Sequence, residues 1–251
     1  MEGLGDKVTV LLEELASKPV FPGGLSTYML FLLVAFVLTL TFFVVASRKV
    51  SLVPKGIGNV AEMGIEFVRD SMLVDVIGPE GKQYLPFVGT IFFFVLFNNL
   101  LGLIPGFKPG TGTMGTTVTW AIMVFIVYNA IGIKRHGAWG YLKSFWPKGV
   151  AAPLAAFVAL LEIISHFIRP LTLSIRLFAN MFAGHVILGI FGIFTVMLWN
   201  ASLAGKAIAL LPLAMQIIMY AFEVFVAFIQ AYVFAILTTV YINGAVHAGD
   251  H

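Results

Sequence analysis

Apolar residues run along this chain in blocks too long for a soluble fold. "LSTYMLFLLVAFVLTLTFFVVA", residues 25–46, carries no charge and is closed by Arg48 and Lys49. About 20 consecutive apolar residues match a hydrocarbon core ~30 Å thick, so this block predicts a first membrane span. Residues 59–78 read differently. Glu62, Glu66, Arg69 and Asp70 recur among apolar residues at helical spacing, which predicts an amphipathic helix lying along the interface. Two further spans follow at 84–104 and 117–133, joined by the turn-rich "PGFKPGTGTMGT".

The last two blocks are too long to stand upright. Residues 151–196 and 203–241 are each compatible with one helix, about 67 Å and 57 Å long at ~1.5 Å per residue. Ordinary tilts of about 20° do not absorb that excess over a ~30 Å core. Either Pro170 and Pro212 break them, or both are steeply inclined. The short polar link "NASLAGK" favours a tilted hairpin. The expected fold is therefore an all-α integral membrane protein in one domain. It has five transmembrane helices, one interfacial amphipathic helix, and a steeply tilted final hairpin. Residues 1–24 form an outside N-terminal segment and 242–251 an inside tail.

Composition agrees, with 60% hydrophobic and 11% charged residues and a mean hydropathy of +0.99, far from soluble averages. The absence of cysteine excludes disulfides and thiolate chemistry. A net charge of +3 is too small to point to nucleic acid. Its distribution is more informative. Arg48, Lys49, Lys55, Lys134, Arg135, Lys143 and Lys148 flank one side of the spans, against Lys108 and Lys206 in the loops of the other. The positive-inside rule then places the N-terminus outside and the C-terminus inside. The acidic start lacks the basic region of a signal peptide, so the first span is expected to stay as an anchor.

Intramembrane polar residues concentrate in the final hairpin. At 100° per residue Glu162, Arg169, Arg176 and Asn180 share one face, while His185 points the opposite way. Glu223 and Gln230 share a face of the second helix. Folding the hairpin about its link brings to one depth those residues whose numbers sum to about 406. Arg176 is then level with Gln230, and His185 with Glu223. A cation in hydrocarbon costs from ~2.5 to 17 kcal/mol, so Arg176 needs a reason to be there. An inner carboxylate, a central cation and an outer imidazole–carboxylate pair outline a proton path with a barrier at its middle. His166 reads first as a packing histidine, and Arg169 equally as a pairing or a functional cation. Asn98, Asn99 and Asn129 read as hydrogen-bonding links between helices. No motif for a metal, cofactor or nucleophile is visible.

Two stretches, "RPLTLSIRLFANMFAGH" and "EVFVAFIQAYVFAILTTVYI", resemble the a subunit of rotary F-type ATP synthases, as does "LFNNLLGLIPG" in the second span. The resemblance covers essentially the whole chain. It implies a non-catalytic, proton-translocating subunit of a bacterial plasma membrane, abutting a rotating ring of c subunits and joined to the b subunits of the peripheral stalk. It implies that Arg176 is the essential arginine, with Asn180, Gln230 and Glu162 along the path. His185 and Glu223 match a pair whose residue types are exchanged in some members. Gly102 departs from some relatives, which have an aspartate there, so the resemblance implies no ionisable role for the second span in this chain. An ion-coupled secondary transporter is the runner-up, and its expected repeat halves are not visible. A non-conducting scaffold would not need Arg176.

Overall fold

The computed structural model describes residues 4–15, 26–48, 56–104, 106–146, 149 and 151–248. Among them the chain is helical, and five helices are long and apolar enough to cross a membrane. The first of these five, α2 (Thr27–Ser47), is capped by Ser26, whose Oγ accepts the Met29 N–H at 3.3 Å. Apolar side chains cover α2 on every side. Only Tyr28, Ala35 and Thr39 are buried, so most of it is left to face lipid.

The interfacial segment is less regular than expected. It begins as α3 (Ile57–Phe67), widens into a π-helical stretch at Val68–Val74 and closes as the short α4 (Asp75–Ile77). Ala61, Val68, Met72 and Leu73 are buried, while Glu62, Glu66 and Asp70 are exposed. Arg69 bonds Asp70 at 2.8 Å and Glu66 at 3.4 Å. The guanidinium holds the Asp70 carboxyl below the usual carboxylate range through that hydrogen bond.

A 3-10 turn (Pro79–Tyr84) leads into α5 (Leu85–Gly102). After α5 the chain does not stay in solvent. Gly110 and Thr111 are buried, because the loop turns back against α2, α5, α6 and α7. α6 (Met114–Ser144) outruns the expected 117–133 span and reverses at Gly137. There φ is 73° and ψ is 157°, a left-handed conformation that glycine adopts at no steric cost. The returning arm packs Tyr141 against Gly132, and the Tyr141 hydroxyl donates to Asn129 Oδ1 at 3.2 Å.

α7 (Ala152–Ala201) and α8 (Leu203–Val246) form the closing hairpin. Their 50 and 44 residues correspond to about 75 Å and 66 Å, so steep inclination is required. Neither Pro170 nor Pro212 ends its helix. Both helices exceed their expected bounds. α7 runs to Ala201, so the hairpin turn shrinks from seven residues to Ser202, the extended N-cap of α8, whose Oγ accepts the Gly205 N–H at 3.0 Å. The tail expected from residue 242 is helical to Val246, where His136 Nε2 lies 2.9 Å from the last carbonyl. Within the segment 1–24, α1 (Leu4–Leu15) lies against α7, with Leu11 over Gly189. A helix of 12 residues is marginal in isolation, and docking on α7 supplies what its own propensity lacks.

The core lies where α5, α6, α7 and the C-terminal half of α8 meet. Ala227, Ala231, Ala235 and Thr238 of α8 have almost no exposed surface, and small residues of this kind let membrane helices approach closely. Outward from this core the hairpin continues as two helices against each other. Gly192 faces Gln216 there, the glutamine Nε2 lying 3.5 Å from where a Cβ would stand. Cysteines introduced at Gly192 and Gln216 should therefore cross-link under mild oxidation, whereas cysteines at Gly192 and Glu223 should not. The chain has no native cysteine to interfere. Cross-linking of the displaced pair alone would reject this register.

Candidate functional site

α7 carries two chemistries on opposite faces. Leu160, Ile164, Phe167, Leu171 and Ile175 are exposed along one flank, and Glu162, Arg176 and Asn180 are exposed as well, about half a turn further round the helix at ~100° per residue. Arg176 makes no hydrogen bond or ion pair among the described residues, and the same holds for Glu162. An unpaired guanidinium on an apolar helix face is costly in lipid.

On the inward face His185 turns toward α5 and α8. Its Nδ1 lies 3.5 Å from Glu223 Oε1 and 2.8 Å from the carbonyl oxygen of Met181. Its Nε2 lies 2.9 Å from the carbonyl oxygen of Gly102 at the end of α5. Glu223 is 3% exposed, and neither carboxylate oxygen has a hydrogen-bond partner. A buried carboxylate left so is expensive unless a cation or proton compensates it. His185 is the group placed to do that. Gly184 makes room: a Cβ there would fall on the Glu223 carboxylate.

The second α8 residue expected at the site, Gln230, is 2% exposed. Its Oε1 accepts from Asn180 Nδ2 at 2.7 Å. Here the structure differs from the expected register. Gln230 meets Asn180, one turn beyond Arg176, so the hairpin numbers sum to 408–410 rather than 406.

The ATP synthase A chain family matches the chain over residues 28–243, which takes in all of these positions. The chain belongs to that family. Among relatives, the ATP synthase subunit a of Hyphomonas neptunium is 44% identical over 88% of this chain and 87% of its own length. That of Chelativorans sp. is 46% identical over 79% of each, and that of Acidiphilium cryptum 43% over 86% of each.

In this family member the remaining intramembrane polar groups serve the packing around the site. The Gly110 N–H donates to Asn98 Oδ1 at 2.7 Å and the Thr111 hydroxyl to Asn99 Oδ1 at 2.8 Å. Asn99 Nδ2 donates to the Ala227 carbonyl at 3.4 Å. The two asparagines thus pin the inturned loop as well as linking α5 to α8. His166 Nε2 donates to Asn129 Oδ1 at 2.9 Å among the rings of Phe125, Tyr128, Phe145 and Phe167. That matches the packing reading of His166. Arg169 lies over the Tyr241 ring at 5.5 Å, a cation–π contact. Sequence reasoning missed the Gly102 and Met181 carbonyls, since backbone acceptors leave no mark in residue type. It also missed Tyr220, whose hydroxyl donates to the Leu103 carbonyl at 2.9 Å.

Replacing Gly184 by valine should move the Glu223 carboxylate from its place. Overpacking of this kind costs about 1–3 kcal/mol, to be read as a lower thermal unfolding midpoint of the protein in detergent. An unchanged midpoint would show that the carboxylate does not occupy the space above Gly184.

Proposed function

We propose that this chain is the proton-translocating stator subunit of an F-type ATP synthase, without a catalytic site of its own. The observation that carries this reading is Arg176, an exposed cation of α7 with no hydrogen bond or ion pair among the described residues. A permanent charge so placed is useful only if a partner brings a counter-charge to it. The family supplies that partner: a rotating c ring, each subunit bearing one membrane-buried carboxylate. The length of α7 and its exposed apolar strip suit a steeply inclined helix laid along the ring. The b subunits of the peripheral stalk and lipid cover other surfaces.

His185 and Glu223 form the outer exchange pair, about 13 Å along α7 from Arg176. Glu162, about 21 Å along the helix on the other side, serves inner access. Asn180 and Gln230 line the region beside the arginine. A ring carboxylate nearing Arg176 is stabilised in its ionised form, so it releases its proton before passing. The guanidinium stays protonated and cannot relay that proton across. The two half-channels therefore do not short-circuit, and each transferred charge draws about 2.3 kcal/mol per 100 mV from the membrane potential. The cation-rich inner loops place the N-terminus outside and the C-terminus in the cytoplasm of a bacterial cell. The imidazole–carboxylate pair favours protons over sodium as the coupling ion.

In the purified complex Arg176→Ala should lower ATP-driven proton pumping by on the order of 100-fold or more, the scale of losing one charge-stabilising group. Assembly should persist, because Arg176 is exposed and makes no hydrogen bond or ion pair among the described residues. Arg176→Lys should fail as well, since a desolvated ammonium can lose its proton. Gradient-driven ATP synthesis at the wild-type rate in vesicles carrying the lysine variant would refute the role given to Arg176.

A further inference from the structure

His185 has oxygen acceptors at both ring nitrogens: Gly102 O at 2.9 Å from Nε2, and Met181 O at 2.8 Å from Nδ1. Carbonyl oxygens only accept, and a neutral imidazole has a single N–H. The two carbonyls are not equivalent. Met181 lies in the body of α7, where its carbonyl already serves the helix ladder. Gly102 is the last residue of α5, and the final carbonyls of a helix have no intrahelical donor and sit at its negative end. Gly102 O is thus the free and more attractive acceptor for an N–H. Glu223 Oε1, by contrast, approaches only Nδ1, at 3.5 Å.

We propose that the Gly102 carbonyl is a positioning group that keeps a proton on Nε2 throughout, so that Nδ1 alone exchanges protons with Glu223. In the transfer the Nδ1–H bond breaks and its electron pair stays on nitrogen. The proton bonds to Oε1, turning an imidazolium–carboxylate pair into a neutral imidazole and a carboxylic acid. The reverse step restores both. Nε2 takes no part, so the imidazole cannot hand a proton on toward α5. This rests on reading His185 and Glu223 as the outer exchange pair.

The surroundings hold that carbonyl in place. Pro109 packs on Gly102 so closely that a Cβ there would stand 2.5–2.8 Å from three of its carbons. Asn98 and Asn99 fix the next two loop residues, Gly110 and Thr111. The Tyr220 hydroxyl holds the neighbouring Leu103 carbonyl at 2.9 Å. Among the described residues α8 brings Glu223 and Tyr220 to this end of α5, and on the other side of Pro109 stands Tyr28 of α2, with Lys108 over its ring at 5.4 Å. α5 and the inturned loop bring carbonyls, amides and a hydroxyl.

The test is nitrogen-15 NMR of the assembled complex in lipid nanodiscs, labelled at histidine, with the His185 signals assigned by their loss in His185→Gln. Nε2 should remain protonated across the titration while Nδ1 passes from protonated to bare as pH rises. Gly102→Ala should push the end of α5 off Pro109 and lower the ratio of Nε2–H to Nδ1–H tautomer by about five- to tenfold, the worth of one hydrogen bond. Gly102→Ala with Pro109→Gly should restore it. A bare Nε2 in the unaltered protein overturns the proposal even if the alanine variant fails to assemble. So does an alanine variant that assembles with an unchanged tautomer ratio. Proton flux separates the two readings. Normal flux in Glu223→Gln, with the expected tautomer, would overturn the channel reading and leave the ring assignment standing.

Discussion

A carboxylate buried without a hydrogen-bond donor, beside one imidazole, is the constraint around which this hairpin is built. Among the described residues Glu223 has no hydrogen-bond donor on either oxygen, and His185 Nδ1 lies 3.5 Å from one of them. Removing either partner would strand the other in a medium that solvates charge poorly. The neighbouring residues follow from that requirement. Gly184 leaves the carboxylate its space. α5 ends so that its terminal carbonyl reaches the far side of the ring. The loop after it turns inward, its backbone and hydroxyl groups met by Asn98 and Asn99, because unpaired backbone groups are not tolerated at membrane depth.

Arg176 is the counterpart. The inward pair is enclosed by three helices, whereas the guanidinium stands exposed on α7. Their separation by about half a turn around α7 keeps the imidazole–carboxylate pair and the permanent cation on different surfaces of one helix. A helix about 75 Å long also sets them at different depths. The same sequence block therefore fixes both the distance and the angle between the His185–Glu223 pair and Arg176.

Much of this was legible in the chain. Uninterrupted apolar blocks identify five membrane helices, and the charges at Glu62, Glu66 and Asp70 mark the helix that stays at the surface. The opposed faces of Arg176 and His185 follow from helical geometry alone, and the structure brings His185 beside Glu223. Gln230 was placed level with Arg176 and instead meets Asn180, one helical turn further along α7. α1 was not foreseen, since a short charged helix is stabilised by its contact with α7 rather than by its own pattern. The reversal at Gly137 and the carbonyl of Gly102 were also invisible. Both depend on backbone conformation, which a residue type permits but does not dictate.

The central claim is that His185 and Glu223 work as one unit, with protonation states that belong to the pair. Passive and gradient-driven proton flux through vesicles decides it, compared across the unaltered protein, His185→Glu, Glu223→His and the double exchange. If the two groups share one contact, reversing them preserves it, and the double exchange should carry more flux than either single variant. Additive losses with no recovery would contradict the account, and the two groups would have to be treated as independent.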